Sequence, residues 1–166
     1  MNHEDWGEGP WNNEDDHAVW VDPATDLDCM INRGPSGALC GYVGVPPSHP
    51  WHGVDYTAIV KVEVHGGLTY ANSCQEDGEI CHVPEPGREH DIWWFGFDCA
   101  HAFDLAPQME ATMRELRKRK PEIDHIESLF DGQGRYPGVF PGNTYRDWDY
   151  VVREVTGLAA QLAQIR

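Results

Sequence analysis

Basic side chains are scarce: 12 Lys and Arg stand against 28 Asp and Glu in 166 residues, a formal net charge of −16. Such a surface repels nucleic acid and anionic lipid, so neither is expected as a partner. Long apolar runs are missing too. No window approaches the roughly 18 consecutive apolar residues of a membrane span. The start, Met1-Asn2-His3-Glu4-Asp5-Trp6, lacks the basic residues and apolar stretch of a signal peptide. Cysteines are odd in number, at 29, 40, 74, 81 and 99, and form no C-x-x-C pair. A disulfide framework is therefore not expected, and the expected address is a reducing cytoplasm. Phosphate-loop, dinucleotide, Ser-His-Asp, zinc-protease and nucleic-acid motifs are all lacking.

What is present suits one domain of the α+β class. The length matches a single domain, and seven Trp within a 40% hydrophobic composition supply a core. Residues 1–18 read as an acidic arm and 19–166 as the domain, the arm being either disordered or docked through Trp6, Trp11 and Trp20 on the body or on a second copy. Cys29–Arg33 reads as a first strand, Gly34-Pro35-Ser36-Gly37 as a turn, and Ala38–Val45 as the returning strand of a hairpin. Pro46, Pro47 and Pro50 then place Ser48, His49, Trp51 and His52 on a loop. Tyr56 to His65 alternates as a strand does, with Val60, Val62 and Val64 opposite Lys61, Glu63 and His65. Ile92–Phe97 is apolar on both faces, the pattern of a central strand.

Strands first and helices later predict a small twisted, mainly antiparallel sheet packed by two helices. Pro107 opens the first, whose Met109, Met113 and Leu116 form the expected buried stripe. Its last turn holds most of the basic run from Arg114 to Lys120, which suits the negative end of a helix dipole. The second is a long amphipathic C-terminal helix after a capping box at Thr144 and Asp147. Trp148, Val151, Val152, Val155, Leu158, Ala159, Leu162 and Ile165 lie on its apolar face.

The reactive side chains concentrate at two strand ends. His65 is followed by Gly66 and Gly67, which permit close approach of a ligand or of another backbone. The run Asp98-Cys99-Ala100-His101-Ala102-Phe103-Asp104 puts four reactive groups in seven positions. In one reading His65 and His101 exchange protons with a substrate while Asp98 or Asp104 orients one of them. In a second, Cys99 is a nucleophile activated by a nearby histidine. In a third, Cys74, Cys81, Cys99 and either His82 or His101 bind structural zinc, although the Cys74–Cys81 gap is no standard knuckle. His49, Thr69, Tyr70 and Trp94 are candidate ligand contacts, and the aromatic side chains, Trp93 and Tyr42 included, suit a planar ligand.

The segments Gly37–Pro46, Val64-His65-Gly66-Gly67-Leu68-Thr69-Tyr70, Trp93-Trp94-Phe95-Gly96-Phe97-Asp98-Cys99-Ala100-His101 and Tyr145-Arg146-Asp147 together resemble a family of small proteins carried by bacteriophages and prophages. The likeness spans about residues 36–104 and the last helix. It brings no activity and no catalytic residue with it. What it implies is a phage accessory protein in a bacterial host cytoplasm, with counter-defence as one role. The leading expectation is hydrolysis of a small phosphorylated or nucleotide-like molecule. The alternatives are a non-catalytic protein, in the form of a homo-oligomer, that sequesters such a molecule, and an acidic inhibitor of a host protein.

Overall fold

A computed structural model describes residues 3–59, 61–74, 80–81, 91–120 and 143–165. Five strands, β1 (His17–Val21), β2 (Asp28–Arg33), β3 (Leu39–Val45), β4 (Tyr70–Ser73) and β5 (Trp93–Asp98), form one sheet in the order β1-β2-β3-β5-β4. Every pairing is antiparallel. Among the described residues two α-helices follow, α1 (Pro107–Arg119) and α2 (Trp148–Leu162). The architecture is the small α+β type expected, and none of the described helices is long and apolar enough to cross a membrane.

The hairpin forms as its sequence predicts. Gly34 N–H bonds to Ala38 O and Gly37 N–H to Gly34 O, which sets Arg33 opposite Leu39. It is not the first pairing, because His17–Val21 adds an edge strand on its far side. The apolar run 93–97 becomes the strand between β3 and β4, covered on both faces. Phe95 and Phe97 point to one face with Cys29, Ile31, Leu39, Val43 and Val45. There α2 lays down Val151, Val155, Leu158, Ala159 and Leu162, all buried. Each large side chain fully buried in this layer contributes about 1.5–3 kcal/mol. Gly41 allows the close approach: a β-carbon there would lie 2.5 Å from both Phe97 and Val155. Trp94 points to the other face and packs with Met30, Tyr42 and Ile92.

Several expectations are corrected. The alternating stretch 56–65 is not a strand at any of its described residues, and Val60 lies outside them. Tyr56–Ala58 is a short 3-10 turn capped by Asp55, and residues 61–65 join no strand. Their backbone is satisfied by helix side chains instead. Glu63 N–H donates to Gln161 Oε1 (2.9 Å), Gln161 Nε2 donates back to Glu63 O (2.8 Å), and His65 N–H donates to Glu154 Oε2 (2.8 Å). Glu154 and Gln161 are seven residues apart, two helical turns, and so share a face of α2. Val62 and Val64 still turn inward against the core. The alternation is real, but its partner is a helix.

On α1 the expected stripe is misplaced. Met109 and Leu116 are exposed, while Pro107 and Ala111 are buried. This helix packs against the acidic N-terminal segment rather than the sheet. Trp6 and Trp11 are buried around Ala111, with Leu105 and Tyr145 against them. Trp6 Nε1 donates to Gln108, and Arg114 donates to the carbonyls of Asp5 and Trp6. Of the two expectations for the acidic arm, docking is therefore the one seen from His3 onward. The cap of α2 is Asp147, which accepts from Tyr150 N–H, and not Thr144. One local disulfide is present where none was expected: Cys74 and Cys81 are bonded, with Cα atoms 4.7 Å apart. Cys29, Cys40 and Cys99 are free.

Candidate functional site

His65 is the best-held side chain of the cluster. Tyr150 and Glu154 lie one turn apart on α2 and share a face. Glu154 fixes the backbone of His65, and the Tyr150 hydroxyl meets its Nδ1 at 3.0 Å. The second ring nitrogen, Nε2, lies 2.7 Å from Asp104 Oδ2. Asp104 comes from the turn after β5, where it pairs with Thr144 in an isolated bridge. Its carboxylate is 1% exposed and is held on every side. Arg146 Nε donates to Oδ1 at 2.8 Å, and the backbone N–H of His101 donates to Oδ2 at 3.1 Å. Burial raises the Asp104 pKa, but the hydrogen bonds from His65 and Arg146 outweigh it and keep the carboxyl below its ordinary range.

His101 completes the group. Its ring stands edge-on to that of His65, with centroids 5.5 Å apart. Its Nδ1 is buried without a hydrogen-bond partner, 3.8 Å from Asp98 Oδ1 and 3.7 Å from Asp104 Oδ2. About a third of the side chain is exposed, so solvent reaches the ring through its other atoms. Gly66 makes room for it. At φ +66° the position favours glycine, and a β-carbon built there would lie 2.1 Å from His101 Cε1. Gly66→Ala is expected to push the His101 ring out of place and to cost about 1–2 kcal/mol from backbone strain. Urea unfolding checks the energy, and the NMR shifts of the His101 ring protons check the displacement. An unchanged midpoint with unchanged shifts would refute the packing described.

Two features beside the histidines went unrecognised in the sequence. Arg146 and Arg153 lie over the Tyr150 ring at 5.0 and 5.9 Å, which gathers two of only twelve basic groups in one place. The Tyr150 pKa is raised, first by burial and then by the nearby Glu154, so the phenol stays a proton donor through the neutral range. Arg146, Tyr150 and Glu154 recur every four residues beside the buried Val151 and Val155. That polar stripe was the available signal. Phe103 is also new: it is 66% exposed and holds φ +74°, a strained conformation for a bulky residue, between His101 and Asp104.

The remaining candidates separate from this group. Asp98 accepts from Thr69 Oγ1 (2.9 Å) and from Ala100 N–H (3.0 Å), so Asp98 and Thr69 brace the exit of β5 beside His101. Cys99 is 1% exposed within the core layer, and burial, then Asp104, push its thiol pKa far up. A buried neutral thiol is not a nucleophile; β5 ends at Asp98, and the turn beyond it presents His101 and Asp104. Trp94 is fully buried on the opposite face with Tyr42, and Tyr70 stacks edge-on against Tyr42, so neither Trp94 nor Tyr70 borders the histidines. His49 donates from Nε2 to Leu162 O while its Nδ1 accepts from Trp51 N–H. Both its nitrogens thus serve to clip the loop to the end of α2. The zinc set is corrected as well: Cys74 and Cys81 are consumed by their disulfide and Cys99 lies in the core, while His82 lies outside the described residues. No family model, no curated protein and no solved structure matches the chain.

Proposed function

We propose that this protein hydrolyses a small phosphorylated or nucleotide-like molecule at the cluster of His65, His101 and Asp104. The observation that carries the reading is the hydrogen-bonded chain Asp104–His65–Tyr150 with the unpartnered ring of His101 against it. A buried carboxylate that fixes one nitrogen of a histidine sets which ring nitrogen faces it and which faces the other partner. His65 is thereby fitted to pass a proton through Tyr150, and His101 to exchange one with a bound substrate. In hydrolysis, water attacks phosphorus and gives its proton to His101. The bond to the leaving oxygen breaks, and that oxygen takes a proton from Tyr150, which is resupplied by His65. Arg146 and Arg153 supply positive charge for phosphoryl oxygens, and Phe103 offers an exposed ring for a base to stack on. The sequence resemblance fits such an activity to a phage accessory protein in a host cytoplasm.

The test is a panel of cyclic and linear nucleotides and simple aryl phosphate esters, assayed with wild type and His101→Ala. His101 is partly exposed, so its loss is expected to leave the fold intact. Loss of a general acid or base lowers the rate by roughly 100-fold or more. Equal rates in wild type and variant, or no turnover of any member by wild type, would defeat the proposal.

A further inference from the structure

We infer that His65, His101 and Asp104 bind one divalent first-row transition ion. The inference rests on the reading of this cluster as the reactive centre and names the cofactor that would activate water there. One ring nitrogen from each histidine and one carboxylate oxygen lie within 4.8 Å of one another. The separations to Asp104 Oδ2, 2.7 Å from His65 Nε2 and 3.7 Å from His101 Nδ1, bracket the spacing between ligands on one ion. With bonds of about 2.0–2.2 Å, donors around such an ion stand roughly 3–3.5 Å apart.

The second observation is the buried Nδ1 of His101, which has no hydrogen-bond partner. A polar atom left unpaired away from water costs about 1–3 kcal/mol, and an ion placed between it and Asp104 would satisfy it. The outer contacts also match those of ligating groups. Tyr150 holds the far nitrogen of His65, and Arg146 holds the far oxygen of Asp104, so each ligand is aimed by a partner. Two imidazoles and one carboxylate favour transition ions over calcium or magnesium. Three protein ligands leave at least one position for water, and with the ion bound that water's proton goes to solvent near neutral pH in place of His101, whose ring is then a ligand and not the base.

The test uses the untagged full-length chain, dialysed against chelator and titrated with Zn²⁺ by calorimetry at neutral pH. One equivalent is expected to bind. His101→Ala and Asp104→Asn are each expected to weaken binding by roughly 30-fold or more, since even the outer partners of a metal site change affinity by about 10–100-fold. The double variant Cys74→Ser/Cys81→Ser is expected to bind as wild type does. Co²⁺ substitution gives an independent readout: visible bands of an N/O-ligated ion without thiolate charge transfer. No binding by wild type, or binding by His101→Ala within about threefold of wild type, would overturn the inference. Hydrolysis that continues undiminished in excess chelator would overturn it while sparing the hydrolytic reading. One bound Zn²⁺ with no turnover of any ester would support the site and sink hydrolysis.

Discussion

Asp104→Ala is expected to destabilise the protein by about 3–5 kcal/mol and to abolish any reaction at the histidine cluster. The carboxylate is 1% exposed and takes hydrogen bonds from His65, Arg146 and the His101 backbone. Removing one partner of a buried charged network leaves the others desolvated and unpaired, which is where losses of that size arise. The pH dependence of the gap has a definite sign. The Asp104 carboxyl is held below its ordinary value, so its contribution is fully present above the unfolded-state value and disappears as pH falls through the folded one. The stability difference between wild type and Asp104→Ala is therefore expected to be greatest above the ordinary carboxyl range and to shrink steadily as pH falls below it. Urea unfolding at a series of pH values measures it. A gap that stays constant across this range would mean that the native carboxyl is not ionised against His65 and Arg146.

Arg33→Ala is expected to cost as much, beside the hairpin turn. The Arg33 side chain has no solvent exposure. Its guanidinium meets Glu14 at 3.0 Å, Asp16 at 2.7 Å, the Tyr145 hydroxyl at 2.7 Å and Gly37 O at 3.0 Å. Glu14 in turn accepts from Trp148 N–H, so one guanidinium joins the acidic arm, the hairpin and the start of α2. Without it two carboxylates face one another around an empty space. A loss of about 3–5 kcal/mol is expected, which lowers Tm by roughly 10 °C for a chain of this size. Trp6 and Trp11 would leave their packing with Tyr145 and Ala111, which tryptophan fluorescence and proteolysis of the arm would register. Arg33→Lys is expected to recover little, because an ammonium cannot make the forked contacts. A loss below about 1 kcal/mol would show that the tryptophans hold the arm unaided.

The same network explains why the arm is hard to read from its sequence. Nine acidic groups and no basic ones in residues 1–28 look like a solvated tail. The compensating charge is a single arginine of the hairpin, 17 residues beyond Asp16, and nothing local announces that it is buried. Helix α1 shows the reverse effect. Its apolar residues suggest burial of Met109 and Leu116, yet the partner that arrives is a pair of tryptophans seated over the small Ala111.

Local periodicity and turn chemistry made three elements legible from the sequence alone. The Gly-Pro-Ser-Gly turn sets the hairpin, the two-faced apolar run makes β5 an interior strand, and spacing of three and four residues assigns the buried face of α2. The density of reactive groups likewise marks His65 and the 98–104 run, of which His65, His101 and Asp104 meet. What only the tertiary structure decided is which element covers which face, and so which reactive groups share a site. Alternation shows that Val62 and Val64 turn inward, but not that the neighbouring backbone bonds to Glu154 and Gln161. It places Cys99 on the side of Phe97, but only the arrival of α2 there makes that thiol inert. The partners of His65 come from 39 and 85 residues away. Such contacts rest on packing between elements, for which no local pattern in the chain selects the partner.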